Sequence, residues 1–202
     1  MRTRLVTAPA ALPVTLAEVK AYCGVEHDAD DALILSFLAA AVGRCQDITG
    51  RQLVESMWDL LLDAFPSGEI LFPGAPLQSV ESITYVDVDG ATQSVDAALY
   101  VVDPVNVPGL VYPAFGERWP QVRDQRNAVV VRYTSGWPMS EDAVPVWTGP
   151  AEIQTWLKMR TSTLYEHRNA LEQVSNMRLM AAIPRDFVDG LLDAYIVYGV
   201  GQ

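Results

Sequence analysis

The spacing of apolar residues changes twice along this chain, and this limits the folds that it can adopt. In the first third, apolar side chains recur every three or four residues, which is typical of helices. From Leu53 to Ser140, short β-rich runs alternate with turns, and frequent prolines argue against helix. Helical spacing returns after Pro150. The pattern predicts an α+β fold with an inserted all-β segment, divided into residues 1–52, 53–140 and 141–202.

Two helices are predicted before the β segment. Residues Thr15 to Glu18 have the form of a capping box, and Gly24 is a natural helix end. The second helix is expected to start among the acids at Asp28–Asp31, which favour the positive end of a helix dipole. Its apolar stripe runs from Leu33 to Ile48. The small side chains of Ala39–Ala41 would allow another helix to approach closely.

A hairpin is predicted in the β segment, where Val80–Val88 and Ala91–Val95 flank Asp89-Gly90. The acids of this turn also suggest a calcium loop. In that register, however, Tyr85 would occupy the first ligand position and Asp96 the last, where an EF-hand requires Asp and Glu. We therefore expect a β-turn and no metal site.

The charge of the chain is negative and unevenly spread. The net charge is −11 over 202 residues. From Gln52 to Glu117 inclusive there is no Lys or Arg, whereas there are ten acids. This segment would repel phosphate, which argues against tight nucleic-acid binding. It is expected to be either a solvated acidic face or a surface that DNA passes without sticking.

Composition and cysteine use indicate a folded cytoplasmic protein. Half of the residues are hydrophobic, which supports a sizeable core. No apolar run approaches the roughly 18 residues that span a bilayer, so no membrane partner is expected. Cys23 and Cys45 lie on predicted helices and are expected to be reduced and buried.

Catalytic and metal-binding motifs are missing from the sequence. There is no Gly-rich phosphate loop, no His-Glu-x-x-His and no Gly-x-Ser-x-Gly. The two histidines, His27 and His167, have no second ligand at metal spacing. We expect no enzyme activity, no catalytic residue and no cofactor. Trp119 and Trp137 leave open a module that binds a carbohydrate or a peptide, although loop aromatics usually pack on a sheet.

The order of several weak motifs resembles a known family. It begins with Thr15 to Lys20, Asp30-Asp31-Ala32-Leu33-Ile34 and Asp47 to Leu53. Leu71 to Val80 and Ile83 to Gly90 follow, and then Trp119-Pro120, Val129 to Trp137 and a closing helix. In order and spacing, residues 13–172 resemble the head-tail connector (adaptor) proteins of long-tailed phages, prophages and gene transfer agents.

The resemblance implies a structural subunit with no active site. Its helical parts, two N-terminal helices plus the C-terminal helices, would form a connector core that carries the β insertion. Twelve copies would form a ring between the portal and the next neck component, a stopper or tail terminator. DNA would pass through the lumen without specific binding. The ring would lie in the virion neck after assembly in the host cytoplasm. Another neck or tail-terminator subunit is an alternative.

Two sets of contact residues are expected in such a ring. The Ala-rich second helix and the helix after Pro150 are plausible faces for the contact between subunits. The apolar run that follows an amphipathic segment opened by Pro184 would dock on the portal. The subunit-interface candidates are Phe37, Ala40, Ala41, Arg44, Trp156 and Arg160. The portal-docking candidates are Leu191, Leu192, Tyr195, Ile196, Val197 and Tyr198.

Overall fold

A computed structural model describes residues 1–167 and 190–198. The α-helices are α1 (Leu16–Cys23), α2 (Asp31–Thr49) and α3 (Ala151–Glu166). The strands are β1 (Arg2–Thr7), β2 (Ser56–Leu62), β3 (Ile70–Leu71), β4 (Leu77–Val86), β5 (Thr92–Ser94), β6 (Tyr100–Asp103), β7 (Leu110–Pro113) and β8 (Val129–Ser135). Short 3-10 turns cover Ala97–Leu99 and Asp193–Tyr195.

The predicted fold class, a helical core carrying an inserted all-β segment, is wrong. Alongside three helices, the described residues form eight strands in two antiparallel sheets. The first strand, β1, precedes both N-terminal helices and pairs with β2, so that Arg4 lies opposite Asp59. The larger sheet therefore takes a strand from outside residues 53–140. The fold therefore combines helices with antiparallel sheets, and many of its buried apolar side chains belong to strands.

The chain divides into two compact units. The β unit comprises residues 1–10, 50–138 and 197–202, and the helical unit comprises residues 11–49 and 139–196. Both units are assembled from segments that are distant in the sequence, so each depends on non-local contacts.

The β unit is built on a five-stranded sheet in the order β1-β2-β8-β4-β5. Burial alternates along β8, as expected when one face of a strand covers a core. Leu60, Val131 and Ile83 lie opposite one another on neighbouring strands, and all three are fully buried. The strands β3, β7 and β6 form a second sheet, which adds Ile70 and Val111 to the same core.

The predicted hairpin at Asp89-Gly90 joins β4 to β5. The carboxylate of Asp87 accepts hydrogen bonds from the backbone N–H groups of Asp89 and Ala91 at 3.1 and 2.8 Å. Gly90 has a φ of +91°, which a side chain would disfavour. Asp87 therefore closes the turn as an ordinary capping acid.

In the helical unit, α1 begins and ends as its sequence predicts. Thr15 and Glu18 form both hydrogen bonds of the capping box, and Gly24 ends the helix in the left-handed conformation. The ammonium of Lys20 then contacts Asp28 and Asp31 at 2.6 and 2.7 Å, which ties α1 to the start of α2. Asp28 is largely exposed and Asp31 is partly exposed, so each contact adds only a small stabilisation.

Helices α2 and α3 pack together through their apolar faces. Ile34 and Leu38 of α2 and Ile153 and Leu157 of α3 are fully buried. By length and composition alone, α2 is apolar enough to cross a membrane. One stripe of this helix, which includes Ile34, Leu38 and Ala41, is buried in the helical unit. The buried Cys45 thiol belongs to this face, and burial raises its pKa to about 12.

Candidate assembly surfaces

The six predicted subunit-interface residues differ in how deeply they are buried. Ala41 and Trp156 are only 1% exposed and lie inside the helical unit. Phe37 is half-buried, and two arginines and one alanine are exposed: Arg44, Arg160 and Ala40. Only these outer side chains are available to a neighbouring subunit without rearrangement. That they contact one stays a prediction.

Four small side chains contribute to the exposed side of α2, next to larger exposed residues such as Arg44 and Asp47. Ala32, Ser36, Ala39 and Ala40 are exposed, and they lie opposite the buried face of the helix. Small side chains let another surface approach the helix backbone closely. Because α2 carries apolar residues on both faces, their spacing alone did not show which face is buried.

The portal-docking candidates form a short segment that is partly held by the chain itself. Leu192 is fully buried. The Tyr195 hydroxyl donates to Oε2 of Glu152 at 2.9 Å, within the helical unit. Leu191, Ile196 and Val197 are half-buried, whereas Tyr198 is 79% exposed. Tyr198 is therefore the candidate most open to a partner; the predicted start at Pro184 lies outside the described residues.

Asp59 is a buried charge that sequence reasoning missed. Its side chain is fully buried in the middle of β2. Its Oδ2 accepts from Arg4 Nη2 at 2.6 Å, and its Oδ1 accepts from Arg132 Nε at 2.8 Å. Hydrogen bonds from Arg132 hold the pKa of Asp59 below its ordinary value; Arg4 adds to this, while burial opposes it. The three residues are aligned across β1, β2 and β8, so Asp59 fixes β1 to the sheet.

Asp59→Asn is expected to lower the free energy of unfolding by about 2 kcal/mol near neutral pH, as for hydrogen bonds to charged groups. Both guanidinium groups are partly exposed and can regain water, which limits the loss. Because the folded pKa is depressed, the wild-type contribution is present above the unfolded pKa of about 3.9. It is lost as pH falls through the folded value. Urea unfolding across this range should show the difference between the two proteins shrinking; a constant difference would contradict the ion pair.

Several of the ten acids between residues 52 and 117 stabilise local structure. Asp59 is buried and paired. Asp96 and Asp103 accept hydrogen bonds from the backbone N–H groups of residues two positions ahead, at 2.9 Å each. Asp63 accepts from the N–H of Asn127 at 2.8 Å. Part of the negative charge in this segment therefore comes from acids whose carboxylates cap turns and loops.

Trp119 and Trp137 are engaged within the β unit. The Trp119 ring stacks on Phe65 with centroids 4.9 Å apart, and its Nε1 donates to the carbonyl of Gly68 at 2.7 Å. The guanidinium of Arg51 lies over the Trp137 ring, 5.5 Å from its centroid. An open cleft of about 810 Å³ lies beside Trp119 and Phe65. These contacts give both rings a packing role.

No candidate metal centre occurs in the part of the chain that the structure describes. No group of three His, Cys, Asp or Glu side chains is placed to hold an ion there. Both histidines, His27 and His167, are exposed.

A family model, the Phage gp6-like head-tail connector protein, matches residues 13–96. The resemblance drawn from the sequence is confirmed. The matched stretch runs from just before α1 to just after β5, and so includes residues of both units. No curated protein matches the chain.

Solved structures with a similar fold come from gene transfer agent (GTA) particles. A neck of an empty GTA particle computed with C6 symmetry and a virion of a native GTA particle each match with a TM-score of 0.75 and 22% identity. A neck of a native GTA particle computed with C12 symmetry matches with a TM-score of 0.73 and 24% identity. Each match covers 100% of this chain and 98% of the other. The whole chain therefore shares its fold with proteins in these particles.

Proposed function

We propose that this chain is a structural head-tail connector subunit that forms a ring in the neck of a phage-like particle. The observation that carries the proposal is the match of residues 13–96 to the connector family. The fold likeness over the full chain to structures of GTA necks supports it. In this role the protein performs no catalysis, and its function lies in its contacts.

The ring holds twelve copies, docks on a portal and receives the next neck component on its other side. The C12 symmetry of one similar neck structure supports this number. A ring of one repeated subunit needs a head-to-tail contact that closes on itself. DNA passes through the lumen, where the net charge of −11 on each subunit disfavours tight binding. Assembly takes place in the host cytoplasm.

The family match favours a connector over another neck or tail-terminator subunit. A carbohydrate- or peptide-binding module would use Trp119 and Trp137 to stack on its ligand. Both rings already have contacts within the β unit, since Phe65 covers one face of Trp119 and Arg51 lies over Trp137. We therefore place the first test on the exposed side of α2.

Ala40→Trp is expected to reduce ring formation on the portal at least about tenfold, equivalent to about 1.4 kcal/mol. Ala40 is exposed among small side chains on α2, so an indole there would block the close approach of a neighbour. Mass photometry of the chain mixed with the portal from the same genomic neighbourhood measures the ring directly. Val144→Trp, in an exposed loop, is the matched control. Equal ring yields from both variants would exclude this helix face.

A further inference from the structure

In the part of the chain that the structure describes, the two outer strands of the five-stranded sheet are unpaired along their outer edges. β1 and β5 stand at opposite ends of the strand order. Every residue of both strands is exposed. Within residues 1–167 and 190–198, neither strand pairs with another strand on its outer side. Free N–H and C=O groups along such an edge can pair with a strand from another chain.

The two edges carry opposite charge. β1 contains Arg2 and Arg4, and the Arg4 side chain remains 63% exposed despite its contact with Asp59. Three acids, Asp87, Asp89 and Asp96, flank β5. One arginine, Arg123, lies beside Gly90 at this end, so the acids stay in excess. A β1 edge would repel a second β1 edge and attract a β5 edge.

Strand direction and length also fit a β5-to-β1 contact. All four pairings in the sheet are antiparallel, so β1 and β5 run in the same direction. A neighbour related by a small rotation would therefore bring its β1 parallel to this β5. A register shift between Leu5 and Thr7 leaves Arg2–Leu5 as the regular part of β1. That length is comparable to the three residues of β5.

We propose that β5 of one subunit pairs in parallel with β1 of the next, which joins the five-stranded sheets of neighbouring copies into one belt around the ring. The contact is heterologous, as a closing ring requires. The inference rests on the proposed ring and names one of its contacts. It also gives the exposed arginines of β1 a role in selecting the partner edge and rejecting like edges.

Disulfide crosslinking tests the belt. Thr3 and Gln93 are exposed and lie on the same face of the sheet as the core, one on each edge strand. In a Cys23→Ser background, Thr3→Cys and Gln93→Cys are combined in one chain and the ring is assembled on its portal.

Mild oxidation of this ring should give a ladder of covalent multimers, because only residues facing each other across neighbouring strands meet the geometry of a disulfide. Each single variant should stay monomeric on a denaturing gel. The pair Thr3→Cys with Val144→Cys is the control and should give no ladder.

The possible outcomes distinguish the proposed β5-to-β1 contact from ring formation itself. A ring visible by electron microscopy without a ladder would overturn the β5-to-β1 contact and leave the proposed function standing. Dimers from Thr3→Cys alone would show pairing of two β1 edges and would also overturn it. Failure to form any ring would overturn both proposals.

Discussion

Removing residues 193–202 is expected to abolish docking of this chain on its portal. The segment contains Ile196 and Val197, which are half-buried, and Tyr198, which is 79% exposed. An apolar side chain exposed to this degree at the end of a segment is suited to a groove on a partner. Co-sedimentation of the truncated chain with portal rings should show no bound protein. Undiminished docking would exclude the segment as the portal contact.

A point substitution separates docking from folding in this experiment. Truncation also removes the hydrogen bond between Tyr195 and Glu152, so some loss of stability is expected. Tyr198→Ser keeps that bond and should still weaken docking strongly. Tyr22→Ser removes another exposed tyrosine, on α1, and should leave docking unchanged. If the two tyrosine variants behave alike, Tyr198 has no special role.

Trp156→Ala is expected to destabilise the helical unit by about 3–5 kcal/mol, the range for a large aromatic side chain removed from a core. Trp156 is 1% exposed and is the largest fully buried side chain described. Its loss leaves a cavity in the helical unit that the surrounding side chains can fill only in part. Thermal and urea unfolding, followed by circular dichroism, measure the effect.

Arg160→Ala is the matched control for Trp156→Ala on the same helix. Arg160 is exposed, so its loss should change stability by less than about 0.5 kcal/mol. If Trp156→Ala also had so small an effect, the packing of α3 on α2 would be wrong. A loss of ring formation by Arg160→Ala without a loss of stability would support its predicted place at the subunit interface.

Local signals in the sequence predicted local structure well. The capping box at Thr15 and the end of α1 at Gly24 are both present because each needs only residues within one or two turns. The hairpin at Asp89-Gly90 depends on four neighbouring residues and is also present. The resemblance to the connector family rested on the order of such local features.

Non-local structure could not be predicted in the same way. Strand β1 was missed because Arg2 and Arg4 gave no apolar alternation. The strand is held by pairing with β2 and by the ion pair of Arg4 with Asp59, a residue 55 positions away. That distance made the helical core with an inserted β segment the simpler prediction, and the wrong one. The burial of Ala41 and Trp156 could not be predicted for a similar reason, because it depends on how α2 packs on α3.

Electron microscopy of the chain mixed with the portal from the same genomic neighbourhood shows whether the chain forms a connector ring. We expect a closed ring of twelve subunits stacked coaxially on the portal, a number supported by the C12 neck of similar fold. We also expect the helical units of neighbouring copies to face each other through the α2 surface around Ala40 and Arg44. A chain that forms no complex with the portal under any assembly condition would contradict the connector function.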